Sequence, residues 1–388
     1  MTTASETAVK APARRNVPWI RAALQTAIEL EHSTLPIYTS AMLSLEVQNY
    51  TSYNTIRSVL MEEMVHMAIA ANMLAAIGGR PKIKHLDPKF PSHGLPGGVE
   101  PDLHIGLAKL SKPQLRNFMR LESPLFLLPE EYSHESFPTI GKLYSEIKDA
   151  IVDNADELRA AVKGGGVANQ VGDNIGFKTI VPTAGVDPVD QLLEGINEIL
   201  EQGEGATGGT IQAGAAFQHE ESHYGKFAEL WYGREYREPN PALELSPETE
   251  AVHFQGSKID WPAVVNTLAV PLDGYEKVLA ADPDGAEAEK ELLQFDETYT
   301  GMMVHLDELW NGSMATQWPT FGDAVHHMVK FRVFSCFTFM RRQIPKSVID
   351  DLPRLYPSEF GYLNTYTDLN QPVFYGPRFR NLAAVGQA

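Results

Sequence analysis

The feature that most constrains the fold is a pair of long apolar segments between Trp19 and Ile77, each interrupted in its middle by charged residues. On both sides of a polar break at 47–54, apolar residues recur at positions i, i+3, i+4 and i+7. This period predicts two amphipathic helices of more than ~20 residues each. Charged side chains are seldom buried unless they are paired or bind a metal. The interruptions therefore predict a polar site between the two helices.

The second segment contains the pattern Glu63-x-x-His66. Residues three apart lie on the same face of a helix, so this carboxylate and imidazole point at a common position. If the chain folds back at the polar break, Glu31 of the first segment lies level with them. One Glu and one Glu-x-x-His form half of a carboxylate-bridged two-metal site. A single Glu-x-x-His is common by chance, so a second occurrence is needed.

The second occurrence is Glu220-x-x-His223, again inside an apolar helical pattern. A predicted helix from about Asp190 precedes it and carries Glu201 and Glu204 near its end. Two such turns, each preceded by a helix bearing a glutamate, predict the complete two-metal site of a four-helix bundle. The alternative is two solvated acidic faces with incidental histidines.

Six stretches of the chain, covering most of it after Asn16, also resemble a known family: LEHSTLPIYTSAM, EEMVHMAIAANMLAAIGGRP, LHIGLAKLSKPQLRNFMRLESP, LEGINEILEQGEGA, EESHYGKFAELWYG and FYGPRFRNL. They are similar to the ferritin-like family that includes the carboxy-terminal region of iminophenylpyruvate dimer synthase, an enzyme of the violacein pathway. The resemblance implies a ferritin-like bundle with a metal site. It also suggests amines or imines derived from amino acids as substrates.

Two lines of reasoning give different ligands from the third helix. Reflecting Glu220 across the turn GATGGT reaches a level that favours Glu198 or Glu201, whereas the resemblance points to Glu204 in the Gly-Glu-Gly motif. We take Glu204 as the ligand and keep Glu201 as the alternative. The predicted metal ligands are Glu31, Glu63, His66, Glu204, Glu220 and His223.

This ligand set predicts the chemistry of the site. Carboxylates and imidazoles suit Fe(II), Mn(II) or a mixed pair, and we expect two iron ions. Glu63 and Glu220 would bridge ions ~3.5–4 Å apart, while Glu31 and Glu204 would cap one ion each. The leading hypothesis is a non-haem dimetal oxidase or oxygenase that uses dioxygen on a small amine- or amino-acid-derived substrate. The alternatives are peroxide dismutation by a dimanganese pair, as in a catalase, and a non-catalytic ferritin-like scaffold or metal-binding protein.

The predicted architecture is all-α: a ferritin-like four-helix bundle with an enlarged crossover lobe and an extra carboxy-terminal helical layer. Residues 1–16 are interpreted as a disordered tail, 17–238 as the bundle, with an insertion at 82–188, and 239–388 as the helical extension and a wrapping tail. A ferritin-like bundle needs one long crossover between its second and third helices, and the insertion supplies it.

Within the insertion, 82–101 is interpreted as an irregular loop, 103–121 as containing a short helix and 137–162 as a further helix. The extension is predicted to contain helices at 263–280, 285–309 and 321–343 and to end in an extended tail from Pro345. Tyr38 of the first helix is interpreted as core packing.

Four single residues carry further expectations. Pro36 should kink or open the first helix, because proline lacks the N–H that the helix needs. Ser111 is a candidate cap for a short helix in the crossover. Glu122 ends that helix in an apolar setting and is interpreted as structural. His219 shares a helical face with His223 and is interpreted as packing beside the site.

Composition excludes several classes of protein. A net charge of −18 argues against nucleic acid and anionic membranes as partners. Cys336 is the single cysteine, so an intrachain disulfide is excluded and a cysteine-based metal site is not credible. We find no apolar run of the ~18 residues that a membrane span needs, and no apolar signal core at the amino terminus. The expected location is the cytoplasm, and the sequence is compatible with a homo-oligomer.

Overall fold

Two long antiparallel helices form the centre of the molecule. The computed structural model describes residues 15–46, 50–127, 137–163, 170–172, 185–203, 210–212, 220–237 and 243–385. Helix α1 spans Val17–Leu43, and α2 spans Tyr50–Ala76 and packs along it. The Asn16 side chain caps α1 by accepting a hydrogen bond from the Trp19 N–H. Helix α1 continues through Pro36 as a single element, so the predicted opening is not observed.

Helix α2 is apolar enough to be compared with a membrane span. The sequence was expected to lack an apolar run of this length, but among the described residues the helical stretch Thr51–Ala76 has the length and composition of a span. In the structure, 78% of its apolar window is buried inside the protein. It carries Glu63 and His66, which are 2% exposed. Its apolar character is explained by its place in the core of the bundle.

The crossover begins with a β-hairpin that the sequence did not reveal. Strand β1 (Ser92–Leu95) pairs antiparallel with β2 (Val99–Ile105), in a stretch interpreted as an irregular loop followed by the approach to a helix. Gly94, Gly97 and Gly98 adopt positive φ there, a conformation that glycine allows without a steric penalty. The prolines and glycines of this stretch interrupt the alternation of apolar and polar residues, so the sequence did not predict the two strands.

Three helices complete the crossover. Helix α3 (Lys112–Leu121) is capped by Ser111 as predicted, the Ser111 side chain accepting a hydrogen bond from the Gln114 N–H. The long helix expected at 137–162 is two helices, α4 (Ile140–Asp153) and α5 (Ala155–Lys163). They are separated by Asn154, whose side chain donates hydrogen bonds to the Ala150 and Arg15 carbonyl oxygens. This local bonding competes with helix continuation.

Helices α6 (Pro188–Gly203) and α7 (His223–Tyr232) return the chain to the bundle. Helix α6 packs on α4 and α2, whereas α7 packs on α3 and α2. The crossover therefore does not form a separate layer over the bundle, because α3 contacts α7 and α4 contacts α6 directly. This packing decides which carboxylates reach the site.

The carboxy-terminal layer contains two long helices, α9 (Gly285–Asn311) and α10 (Gln317–Cys336), preceded by the short α8 (Glu276–Ala281). The helix expected at 263–280 is present only at its end, since Pro271 and the positive φ of Gly274 interrupt it. The tail expected to be extended includes four short helices: α11 (Lys346–Asp350), α12 (Leu352–Leu355), α13 (Phe360–Tyr366) and α14 (Leu382–Val385).

Asn72 joins α2 to this outer layer and provides a stability prediction. Its buried amide accepts hydrogen bonds from the Val171 N–H and the Trp310 Nε1–H, and donates one to the Val171 carbonyl. We expect Asn72→Ala to lower the free energy of unfolding by about 1–3 kcal/mol, because buried polar groups lose their partners. Urea unfolding tests this. The exposed Asn364→Ala is the control, and equal stability of the two variants would contradict the assignment.

Candidate metal centre

Four of the predicted ligands meet at one point in the bundle. Glu31 comes from α1, Glu63 and His66 from α2, and His223 is the first residue of α7; each is at most 2% exposed. Glu63, His66 and His223 each offer one ligand atom, and these atoms lie within 4.8 Å of one another. Glu31 and Glu63 line one cavity and their carboxyl groups are close enough to influence each other's pKa, so Glu31 lies level with the Glu63–His66 turn.

The cluster contains one further carboxylate, Glu122, which the sequence led us to interpret as structural. It follows the last residue of α3 and is 4% exposed. Its Oε2 lies 3.5 Å from the His223 Nδ1, and it lines the same cavity as Glu31 and Glu63. The one signal in the sequence was a carboxylate among apolar residues, without a Glu-x-x-His pattern.

The structure does not bring Glu220 to this point. Glu220 is exposed, and the predicted helical turn that should join it to His223 is absent. The Ser222 side chain accepts a hydrogen bond from the Gly225 N–H and caps α7, so the helix begins only at His223. The expectation that Glu220 and His223 share a helical face is therefore wrong for this structure.

The other ligand candidates of the third helix fall outside the cluster or outside the described residues. Glu204 follows Gly203, the last residue of α6, and lies outside the described residues, as does His219. Glu201 is half-buried on α6 and does not line the cavity beside Glu31 and Glu63.

Both histidines of the cluster are held by the ring nitrogen that points away from it. The His66 Nε2–H donates to Gln202 Oε1 at 2.8 Å, and the His223 Nε2–H donates to Glu62 Oε2 at 2.9 Å. Such partners orient metal-binding imidazoles and fix their tautomer. In the neutral imidazole the proton is on Nε2, so each Nδ1 has a lone pair that faces the site.

The buried Nδ1 of His223 shows most clearly that the cluster is suited to a cation. It lies 2.7 Å from Glu63 Oε1, yet the geometry does not provide a hydrogen bond. The His66 Nδ1 lies 3.8 Å from the same oxygen. Lone pairs of nitrogen and oxygen that converge in a buried space repel unless a proton or a cation lies between them. The donor set fits a first-row divalent cation.

Hydroxyl groups orient the three carboxylates. The Tyr144 hydroxyl donates to Glu31 Oε1, the Tyr38 hydroxyl donates to Glu122 Oε1, and Thr34 Oγ1 donates to Glu63 Oε2 at 3.0 Å. For Glu63 and Glu122 the second oxygen is the one nearer to His223. Each hydroxyl thus fixes one oxygen, and the other is available to a cation. Tyr38, interpreted from the sequence as packing, is one of these groups.

Electrostatics explains why protons remain in the cluster when no cation is present. Burial, and then the neighbouring Glu63, raise the pKa of Glu31 well above its ordinary value, and the same two causes raise the pKa of Glu122. Burial also opposes ionisation of Glu63, but His223 and His66 lower the pKa of Glu63 to about 2. Burial disfavours a charged His223, yet Glu63 and the other glutamates raise its pKa well above the ordinary value.

A small cavity adjoins the cluster. Its volume is about 20 Å³, enough for one or two waters or ions of similar size. Its lining includes four of the five cluster residues, without His223, together with the end of α3 and residues of α4 and α6: Glu31, Glu63, His66, Leu121, Glu122, Ile140, Gly141, Tyr144, Ile199, Leu200 and Gly203. The wall opposite the carboxylates is thus largely apolar.

Comparisons with known proteins identify the family and the fold. No curated protein sequence matches the chain. A solved structure of a ferritin-like protein from Caulobacter vibrioides matches with a TM-score of 0.56 and 18% identity, over 82% of this chain and 96% of that one. At this identity the match establishes the fold alone. The family model described as ferritin-like matches residues 24–232, more than half of the sequence and the region that carries the cluster. The chain therefore belongs to the ferritin-like family.

Proposed function

We propose that this protein is a non-haem dimetal oxidoreductase whose centre is built from Glu31, Glu63, His66, Glu122 and His223. The observation that carries the proposal is the orientation of the two imidazoles. Each is anchored through Nε2 and turns Nδ1 toward buried carboxylate oxygens. A purely structural pair would have no need to leave these nitrogens facing acceptors.

In this proposal Glu63 would help to hold both ions, because one of its oxygens faces the Nδ1 atoms of both histidines. Glu31 and His66 would hold one ion, and Glu122 and His223 the other. A pair of bound iron or manganese ions would exchange electrons with dioxygen or peroxide. The protein's own residues exclude bulk water, keep the carboxylates in place through Thr34 and the tyrosines, and anchor the imidazoles.

The proposed lead reaction is oxidation of a small amine- or amino-acid-derived molecule by dioxygen. The sequence resemblance to the dimer synthase region supports this substrate class. The cavity of about 20 Å³ is too small for such a molecule, so the substrate would approach from the wall formed by α4 and α6. We place this chemistry in the cytoplasm.

The same cavity supports a second candidate, peroxide dismutation by a manganese pair. Peroxide, unlike an organic substrate, fits a space for one or two waters. A third candidate, a ferritin-like scaffold, is supported only if the cluster binds no metal in stoichiometric amount.

The activity test combines metal analysis with an oxygen electrode. The chain is prepared with iron or with manganese, and its metal content is measured. We expect about two irons per chain and oxygen uptake that depends on an amine or amino acid substrate and is lost in His223→Ala. Glu308→Ala, which changes an exposed acidic residue of α9, is the control.

The other outcomes select the alternatives. Rapid oxygen release from hydrogen peroxide without an organic substrate selects dismutation. Absence of stoichiometric metal after anaerobic reconstitution overturns both enzymatic proposals. Oxygen uptake that persists in His223→Ala would also contradict the assignment of the centre.

A further inference from the structure

A second pair of histidines lies between α9 and α10, in the carboxy-terminal layer. His305 of α9 and His327 of α10 face each other with ring centroids 5.3 Å apart and ring planes 33° apart. The Nδ1 atom of each ring is buried, and neither has a hydrogen-bond partner within the described part of the chain. Buried polar atoms are rarely left without a partner in folded proteins. These two nitrogens therefore need an explanation.

The packing of α9 makes room for one of these rings. A Cβ atom at Gly301, one turn before His305, would lie only 2.6 Å from His327 Cε1 and 2.8 Å from its Nε2. Any other residue at 301 would displace the imidazole. The close approach of helix backbone and ring thus depends on glycine, and it holds His327 against α9 beside His305.

The spacing of the rings matches ligation of a single ion. A metal–nitrogen bond of about 2.0–2.1 Å places the ring centroid about 3.2 Å from the ion, so two imidazoles at a tetrahedral angle have centroids about 5.2 Å apart. The observed separation is 5.3 Å. Burial, and then His305, lower the pKa of His327. A lower pKa favours the neutral ring, which is the form that offers a lone pair to a metal.

An acidic residue lies on the same helix face. Asp323 precedes His327 by four residues on α10, which places the two side chains one turn apart on one face. Asp323 is exposed, and its charge acts on His327. In the structure these three side chains do not meet within 4.8 Å of one another, so a rotation of the exposed Asp323 side chain is needed to bring a carboxylate oxygen to the two imidazoles. Water would complete a four-coordinate site.

We propose that His305, His327 and Asp323 form a second metal-binding site, separate from the bundle centre, for a borderline divalent ion such as Zn²⁺. Imidazole and carboxylate suit this ion, and a tetrahedral arrangement with two histidines is within its usual range. The site joins α9 to α10 and shares no residue with the bundle cluster. It does not depend on the activity proposed for that cluster.

Zinc titration of the full chain tests the proposal. Isothermal titration with Zn²⁺ is carried out on the wild type and, in parallel, on Glu63→Ala, which removes the contribution of the bundle cluster. We expect one equivalent of bound Zn²⁺ to remain in Glu63→Ala. We expect a further substitution, His305→Ala or His327→Ala, to weaken the binding of this Zn²⁺. The loss of affinity should exceed the roughly 10- to 100-fold that results from removing a group that only hydrogen-bonds to a metal ligand.

The matched control is His326→Ala, since His326 is exposed and adjacent to His327 in sequence. This change should leave Zn²⁺ affinity as it was. If His326→Ala weakens binding as much as His327→Ala, or if neither does, the proposed site is wrong. Circular dichroism and thermal unfolding without metal establish that each variant is folded.

A second measurement uses a more conservative substitution, so that the site can be tested if His305→Ala fails to fold. Co²⁺ in a tetrahedral site with nitrogen ligands gives intense visible absorption, which we expect in Glu63→Ala and expect to disappear after addition of His305→Gln. Asp323→Asn should keep the band and shift it. Absence of the band in folded Glu63→Ala, with Co²⁺ in excess, would overturn the proposal whatever metals the bundle centre binds.

Discussion

Replacing Glu63 by alanine should remove stoichiometric metal from the bundle centre. Glu63 shares a cavity with Glu31 and has an oxygen 2.7 Å from the His223 Nδ1 and 3.8 Å from the His66 Nδ1. No other carboxylate among the described residues contacts all three groups. Its loss would leave the two imidazoles without a shared anionic partner. We expect about two iron ions per chain at this centre in the wild type and less than one iron ion there in Glu63→Ala.

The comparison with Glu62 makes this prediction specific. Glu62 precedes Glu63 in sequence but lies outside the cluster, where the His223 Nε2–H and the Lys226 ammonium donate to it. We expect Glu62→Gln to keep metal but to weaken its binding about 10- to 100-fold, since it orients His223 without touching the ion. Elemental analysis and metal titration separate the two effects. If the two variants have the same metal content and affinity, the assignment of ligand and support is wrong.

The second large effect is an opposite pH dependence of the metal-free and metal-loaded proteins. In the metal-free protein Glu31 and His223 have pKa values well above their ordinary ones, so the folded state holds protons that the unfolded state releases. Their stabilising contribution is complete below the unfolded pKa and is lost as pH rises through the folded pKa. Above about pH 6.5 we therefore expect stability to fall as pH rises, by at most about 1.4 kcal/mol per pH unit for each proton, until the folded pKa of that group is passed.

Metal reverses this sign. A bound cation requires ionised carboxylates and a neutral imidazole, so it displaces those protons and its affinity rises with pH. Thermal unfolding of both forms at about pH 6.5, 7.2 and 8.0 should show falling stability without metal and constant or rising stability with it. Burial lowers the pKa of His66 to about 4 and that of His32 to about 3. These two groups oppose the trend only below their unfolded pKa of about 6.5, which is why the window begins there.

If the stability of the metal-free and metal-loaded proteins changed with pH in the same way, the proposal that metal displaces protons from the cluster would be wrong. Calorimetric titration in buffers of different ionisation enthalpy is an independent check, because metal binding should release protons at about pH 7. Binding with no proton release would mean that the ion is held elsewhere.

The sequence by itself determined the features that depend on helix periodicity. Glu63 and His66 lie three residues apart on an apolar helix, so their convergence follows from about 3.6 residues per turn. The antiparallel return of α1 and α2 then placed Glu31 at their level, and the apolar pattern after residue 220 drew attention to His223. For the same reason the cap at Ser111 and the helical character of the bundle were predictable.

Tertiary structure alone decided the remaining parts of the site. Glu122 ends a short helix in the crossover, and it reaches the cluster because α3 packs against α7, which comes much later in the chain. Tyr144 reaches Glu31 because α4 packs on α1. Neither contact has a local period in sequence.

Glu220 is the opposite case, a residue that the sequence placed in the cluster and the structure does not. Its spacing from His223 has the helical period, but the Ser222 side chain accepts a hydrogen bond from the Gly225 N–H and starts α7 at His223, beyond Glu220. Spacing predicts a shared face only where both residues are inside one helix. Helix limits depend on the competition between capping side chains and backbone hydrogen bonds, and the positions of distant carboxylates depend on packing. Local pattern therefore identified the core of this site, and long-range packing determined its full composition.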